Sequence, residues 1–369
     1  MSNKVTSRQA VRWLILYYWG SAILFLPAGL AIESKQDAWM AVILGVGLQL
    51  ICIPLLIALS RRMKGRTFPV FMEHILGRTA ARMFVFAFTL CFPFLIMCFT
   101  LRNLGDFIVS SILVGTPLEA VHFLVLMASV YGVARGADII GKSVELIYPV
   151  VWTLILILII SVLPNYEWNS LLPMLEHGPL PVVRASLLLF AFPYMEAVLL
   201  TGHLLKDPAE IKGVFVKSTL LSGIGFLLAT IASITVLHAD ITAQTMYPSY
   251  LVARTVSIAD FYERIEILLS IIWLVTIYFR LTLLLEVSNT CLTYALNMKK
   301  PHTLLIPLSI ITLVMANVVW PNSTYLTEFL GVWPSYAMVF GLGVPAALLL
   351  VALIRKKRKA PAKNEPVNR

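Results

Sequence analysis

The stretch from Trp13 to Ile32 is apolar for long enough to cross a bilayer, yet it carries Gly20-Ser21 and Pro27-Ala28-Gly29 inside it. A helix interrupted at membrane depth frees backbone groups that lipid cannot satisfy, so a break survives only where protein, water or a solute meets it. Counted from Arg12 at about 1.5 Å per residue, Gly20 to Pro27 lie roughly 12 to 22 Å into a hydrocarbon layer about 30 Å thick. The break straddles the midplane. That restricts the chain to architectures that line a cavity with unwound helix, and it points to a solute-binding site.

Composition agrees with a membrane setting. Hydrophobic residues make up 59% and charged residues 13% of the 369, with a mean hydropathy of +0.86, whereas soluble domains are about 25% charged. A net charge of +10 would point to nucleic acid in a soluble chain, but a membrane protein gathers Lys and Arg in its cytoplasmic loops. The first apolar run is too long for a signal peptide and lacks an Ala-x-Ala end, so it reads as a retained span. Cys52, Cys91, Cys98 and Cys291 all fall in apolar segments without metal-type spacing and read as core-filling thiols.

Ten apolar spans are expected, at about 11–32, 38–59, 83–111, 117–134, 143–163, 182–201, 214–237, 265–295, 303–320 and 333–354. Alternating the loops between two sides puts 23 of the 29 Lys and Arg on one side, against Lys35, Arg184, Arg254 and Arg264 on the other. By the positive-inside rule both termini are cytoplasmic. The organisation expected is a cytoplasmic segment 1–10, a transmembrane domain 11–354 and a basic cytoplasmic tail 355–369.

The sixth span has an interruption of its own at Phe190-Ala-Phe-Pro-Tyr-Met-Glu196. Entered from the outer side, it reaches Pro193 after about 17 Å, again near the midplane. Spans one and six therefore break at matching depth while running in opposite directions. This is the pattern of a five-plus-five inverted repeat, with halves at about 11–163 and 182–354 and the site between the two breaks.

Gly20-Ser-Ala-Ile-Leu-Phe-Leu-Pro27 resembles the Gly-Ser-Gly-Ile-type signature in the first helix of amino acid–polyamine–organocation permeases, with Ala22 where the second glycine usually sits. Pro164-Asn-Tyr-Glu-Trp-Asn169 with Leu172-Pro173, Phe192-Pro-Tyr-Met-Glu196, Tyr247-Pro-Ser-Tyr250 and Ile258-Ala-Asp-Phe-Tyr-Glu-Arg264 resemble the endospore germination permease family, the B subunits of nutrient germinant receptors. The resemblance covers roughly residues 5–355. It implies an all-α LeuT-like fold of ten transmembrane helices, residence in the inner membrane of the bacterial spore, and work beside an A-type membrane subunit and a C-type lipoprotein subunit.

Site residues follow from depth and chemistry. Amides at Gly20, Ser21 and Ala22 would face a carboxylate at the positive end of the outer half-helix, although a glycine there also permits close helix packing. Phe190, Phe192, Pro193 and Tyr194 are candidates for the wall that meets a ligand side chain, with ordinary packing as the alternative. Thr276 lies one turn from Arg280 on span eight. Glu196 and Arg280 share an estimated depth of about 21–22 Å along their spans, so a buried gating pair and a static brace are both open. Arg102 and Asp106, four apart on span three, read as a structural pair. Glu145 and Glu286 fall near span ends and read as interfacial. The long loop after span seven reads as an outer lid, with Tyr247, Tyr250 and Arg254 as its contacts, or as a docking surface.

No phosphate-binding loop, His-Glu-x-x-His or nucleophile–base constellation is present in the sequence, so neither an enzyme nor a cofactor is expected. The leading expectation is a nutrient-sensing, permease-like receptor subunit that binds a small germinant, an amino acid first among candidates. A secondary amino acid transporter and a structural scaffold are the alternatives. Because Arg280 can supply the charge that sodium gives many LeuT-like transporters between the first and eighth helices, no sodium requirement is expected.

Overall fold

The computed structural model describes residues 4–190, 203–255, 265–300, 302–320 and 325–358. Helix covers most of the described residues of the predicted spans. Seven helical stretches are long and apolar enough to cross a membrane, and Leu180–Phe190 and Leu305–Val318 are shorter apolar helices.

The first helix, α1 (Ser7–Ala22), starts at a capping box: Thr6 Oγ1 accepts from the Gln9 amide at 3.2 Å while Gln9 Oε1 accepts from the Thr6 amide at 2.9 Å. It ends in a turn at residues 23–25, and α2 (Leu26–Ser34) takes over with Pro27 in its first turn, where a missing N–H costs nothing. Lys35, at φ +47°, begins the reversal into α3 (Ala38–Met63). After the short α4 (Phe68–Leu76), α5 (Arg78–Thr89) and α6 (Leu95–Ser111) form one span joined by a π-turn at Leu90–Phe94. Pro93 within that turn has no N–H to donate, which favours the widened geometry.

The hairpin α7 (Leu118–Arg135) and α8 (Ala137–Val162) completes the first half. The second half begins with α9 (Leu180–Phe190), which packs on α2 and α3. It continues with α10 (Ile211–Gln244), kinked at His238, and with α11 (Pro248–Arg254) and α12 (Glu266–Ala295). Next come α13 (Leu305–Val318), α14 (Tyr325–Met338) and α15 (Val344–Arg358), the last two joined by a π-turn at Val339–Gly343. Phe92 and Phe340 stack at 5.1 Å and bring the two π-turns together.

At the centre, α1 packs between α12 and α10. Trp13 Nε1 donates to the Phe279 carbonyl at 2.9 Å and Trp19 Nε1 to the Ser222 carbonyl at 3.2 Å, so two indoles bolt the inner half of α1 to both neighbours. A Cβ on Gly225 would fall 2.5 Å from the Trp19 ring; only glycine lets α10 come so near.

Loops predicted to share a side meet one another. At the basic end Val5 forms an isolated bridge with Leu205, its amide donating to the Leu204 carbonyl at 2.7 Å and its carbonyl accepting from the Lys206 amide at 2.9 Å. Tyr294 donates to Glu73 at 2.7 Å at that same end. At the opposite end Asp37 accepts from the Leu175 amide at 3.1 Å, and the Glu167 amide donates to the Thr235 carbonyl at 3.0 Å. The long loop between α8 and α9 is thus strapped across that end.

Candidate ligand site around the helix break

The break falls at Ile23, Leu24 and Phe25, slightly later than the Gly-Ser pair alone implies. Gly20, Ser21 and Ala22 form the last turn of α1, and the free groups of a helix C-terminus are carbonyls rather than amides. The expectation that the amides of Gly20 to Ala22 cap the outer half-helix is corrected on that point: its positive end lies at Leu26 to Ala28. Gly20 has a different and visible job. A Cβ there would lie 2.7 Å from the Thr276 carbonyl oxygen, so the glycine is what lets α1 lie against the backbone of α12.

Below the break sits Arg280, 4% exposed. Its Nε donates to Thr100 Oγ1 at 2.9 Å and its Nη1 to the Tyr17 carbonyl at 3.2 Å, while its guanidinium lies 4.4 Å from the Tyr17 ring centroid. One fixed positive charge therefore joins α1, α6 and α12 just before the helix opens. Its proposed partner Glu196, with Phe192, Pro193 and Tyr194, lies outside the described residues, and of the expected wall only the half-buried Phe190 is in view, at the end of α9. Thr276 is fully buried and donates to the Trp273 carbonyl at 2.8 Å.

Above the break, α11 lies over the site. Ser249 Oγ donates to the Ile23 carbonyl at 2.7 Å, satisfying an acceptor that the break had freed. The Tyr247 and Tyr250 rings meet Phe107 of α6 edge-on at 5.0 and 5.2 Å, and Phe107 meets Trp273 at 4.9 Å. Tyr247 reaches Asn103 at 3.4 Å and Tyr250 donates to the Ser111 carbonyl at 3.2 Å. Burial, helped by the Asp106 charge, holds the Tyr247 hydroxyl above its ordinary pKa, so it stays protonated. Arg254 is exposed at the end of α11 and is not drawn into this cluster. Beside the break a narrow apolar pocket of about 70 Å³ runs between α8 and α10, touching Ile23, Gly225 and Ser249.

Sequence reasoning reached the break, Thr276, Arg280, Tyr247 and Tyr250. It missed Tyr17, Thr100, Asn103, Phe107, Ser249 and Trp273. Thr100, Asn103 and Phe107 sit at helical spacing on α6, one face of it turned to the break, a pattern that was available to read. The Arg102–Asp106 pair is present at 2.9 Å and is further tied to the Asn317 carbonyl and to Trp320 Nε1. Glu286, read as lying near a span end, is 5% exposed there and lines a polar cavity at the basic end.

An interrupted first helix held between two long helices, with a short helix folded over the break, defines the LeuT-like permease fold. Two solved structures share the architecture. MhsT, solved in complex with L-phenylalanine, superposes with a TM-score of 0.61 over 93% of this chain and 97% of its own, at 15% identity. The nucleobase-cation-symport-1 family transporter Mhp1, in a closed conformation with bromovinylhydantoin, gives 0.68 over 97% and 80%, at 13% identity. Within that class the sequence is more specific. The profile of the spore germination protein (permease) family matches residues 4–323, and the chain belongs to that family. It is 26% identical to spore germination protein KB of Bacillus subtilis (strain 168) over 98% of both chains, and 24% identical to spore germination protein YndE of the same organism over 97% of this chain and 98% of that one.

Proposed function

We propose that this protein is the nutrient-sensing, permease-like subunit of a spore germinant receptor. It takes a small germinant, an amino acid first among candidates, at the break of the first helix and passes occupancy to an A-type membrane subunit and a C-type lipoprotein subunit. Membership of the spore germination family and the names of its relatives support the receptor role. The complex of MhsT with L-phenylalanine supports the amino acid, by fold only. The chain lies in the spore inner membrane with both termini on the core side, and its organisation is that of the two repeats 11–163 and 182–354 with a basic tail.

Gly20, Ser21, Ala22, Phe190, Pro193, Tyr194 and Thr276 surround the ligand, Glu196 and Arg280 form the charge pair below it, and Tyr247, Tyr250 and Arg254 belong to the lid. The observation that carries the reading is Arg280 donating to the Tyr17 carbonyl of α1. A permanent guanidinium occupies the α1–α12 junction that a coupling sodium would otherwise bridge, so ligand binding needs no ion gradient. A sensor can dispense with coupling; a concentrating transporter cannot.

Two experiments test this. Deletion of the gene in its spore former, scored against a panel of nutrients, should remove the response to one nutrient class and spare the rest; an unchanged panel overturns the receptor role. The purified chain should bind that nutrient with the same affinity in sodium and in choline chloride, and should not concentrate it in liposomes. Gradient-driven uptake would establish the transporter reading instead. Size changes at Phe190 and Tyr194 should alter which nutrient works; a uniform loss across nutrients would make that segment packing alone.

A further inference from the structure

The final third of α12 carries Glu286, Asn289, Thr290 and Thr293 at spacings of three and four, on one helix face. All four line a cavity of about 400 Å³ at the basic end, with Thr67 and His203 on its far walls and His302 and Lys299 beside its mouth. Glu286 is 5% and Asn289 2% exposed. Thr290, one turn further along the helix, is the polar neighbour of the Glu286 carboxylate on α12. Among the described residues no Lys, Arg or His reaches it at ion-pair distance. The Asn289 amide oxygen and the Thr293 hydroxyl are buried and have no hydrogen-bond partner among the described residues.

A carboxylate this deep is costly unless something neutralises it, and an amide oxygen without a donor adds to that cost. The oxygens that α12 brings to this wall are one carboxylate, one amide carbonyl and the hydroxyls of Thr290 and Thr293, beside the Thr67 and Tyr294 hydroxyls and the imidazoles of His203 and His302. Hard donors of this kind suit cations such as alkali metals and ammonium rather than soft transition metals. A single carboxylate matches a single positive charge, and no cluster of three His, Cys, Asp or Glu fit for a metal ion occurs among the described residues. The mouth does not repel such an ion strongly. Lys299 is exposed beyond the end of α12, and His203 is uncharged near neutrality because burial, with Lys4 nearby, pushes it down to about 4.

We propose that the α12 wall of this cavity binds one monovalent cation, an alkali metal ion or ammonium, through the Glu286 carboxylate, the Asn289 amide oxygen and the Thr293 hydroxyl. The site lies about 9 Å further along α12 than Arg280. It is separate from the α1–α12 junction and does not depend on which ligand occupies the helix break.

Thermal melting of the full-length protein in detergent tests this, during titration with sodium, potassium or ammonium chloride against choline chloride at constant ionic strength. At least one small cation should raise Tm saturably while choline does not, and comparison of the three identifies the ion. Glu286→Gln should abolish the saturable rise, and Asn289→Leu should weaken its midpoint about tenfold. Identical curves in choline and in all three small cations overturn the site and leave a carboxyl that is simply protonated. A saturable rise that survives Glu286→Gln overturns it as well. Should Glu286→Gln fail to fold, Asn289→Leu and Thr293→Val decide the matter: midpoints unchanged in both sink the proposal.

Discussion

Arg280 and Glu286 stand less than two turns apart on the same helix and are almost equally hidden, yet they are buried in different ways. Among the described residues Arg280 is answered by a hydroxyl on α6, a carbonyl on α1 and the face of Tyr17. Glu286 has one hydroxyl of its own helix and otherwise looks into a polar cavity. The first arrangement is a brace, because these partners tie three helices together through one side chain. The second leaves room for something that comes and goes. Depth in the membrane does not separate the two roles; the identity of the answering group does.

Removing the brace should give the largest effect. Arg280→Met strips a donor from Thr100 and from the Tyr17 carbonyl and should cost about 3–5 kcal/mol, read as a fall in Tm of the solubilised protein. Combining it with Glu196→Gln should restore part of the loss if the two charges are partners. Strict additivity would mean that Tyr17 and Thr100 alone answer Arg280.

Tightness of the packing around that brace is next. Gly20→Ala places a methyl against the Thr276 carbonyl and should cost about 1–3 kcal/mol. Gly20→Leu should abolish the nutrient response while immunoblots still find the protein in the membrane. A normal dose response in Gly20→Leu would break the claim that the first-helix opening holds the ligand.

On the cavity side, acid should tell. His203 is held near 4 in the folded protein against about 6.5 when unfolded. The unfolded chain therefore takes up the proton first, and the contribution of neutral His203 is full above pH 6.5 and is lost as pH falls towards 4. A stability loss of about 2–3 kcal/mol over that window is expected, and His203→Gln should flatten it in a Tm series against pH. An unflattened series would place the acid sensitivity elsewhere. The smallest effect belongs to Ser249→Ala, which leaves the Ile23 carbonyl without its donor and should cost about 1 kcal/mol. Its mark should be faster hydrogen exchange at residues 23–25 with little change in Tm.

What could be read from the sequence follows the same division. Apolar runs and basic loops located the spans, since lipid imposes length and charge asymmetry directly. Gly20 and Pro27 located the opening of the first helix. The Arg102–Asp106 pair was legible because four residues on a helix is contact distance. The register of the opening was not legible, because a glycine serves a bend or a close approach equally, and the Thr276 carbonyl that settles it is 256 residues away. The burial of Glu286 was not legible for a related reason. Counting rise along α12 measures distance from one end of a helix, whereas burial there is set by α4 and by the segments that carry His203 and His302, which no count along one helix contains.

The pairing of Val5 with Leu204 and Lys206 has a mechanical consequence. Those two backbone hydrogen bonds stitch the foot of α1 to the segment leading into α10, so a swing of the inner half-helix drags the second half of the molecule with it. Two such bonds are together worth about 2 kcal/mol, roughly what one or two good contacts to a ligand supply. The stitch is thus a tether of modest strength, holding the foot of α1 and the approach to α10 at one spacing until a load of about that size is put on it.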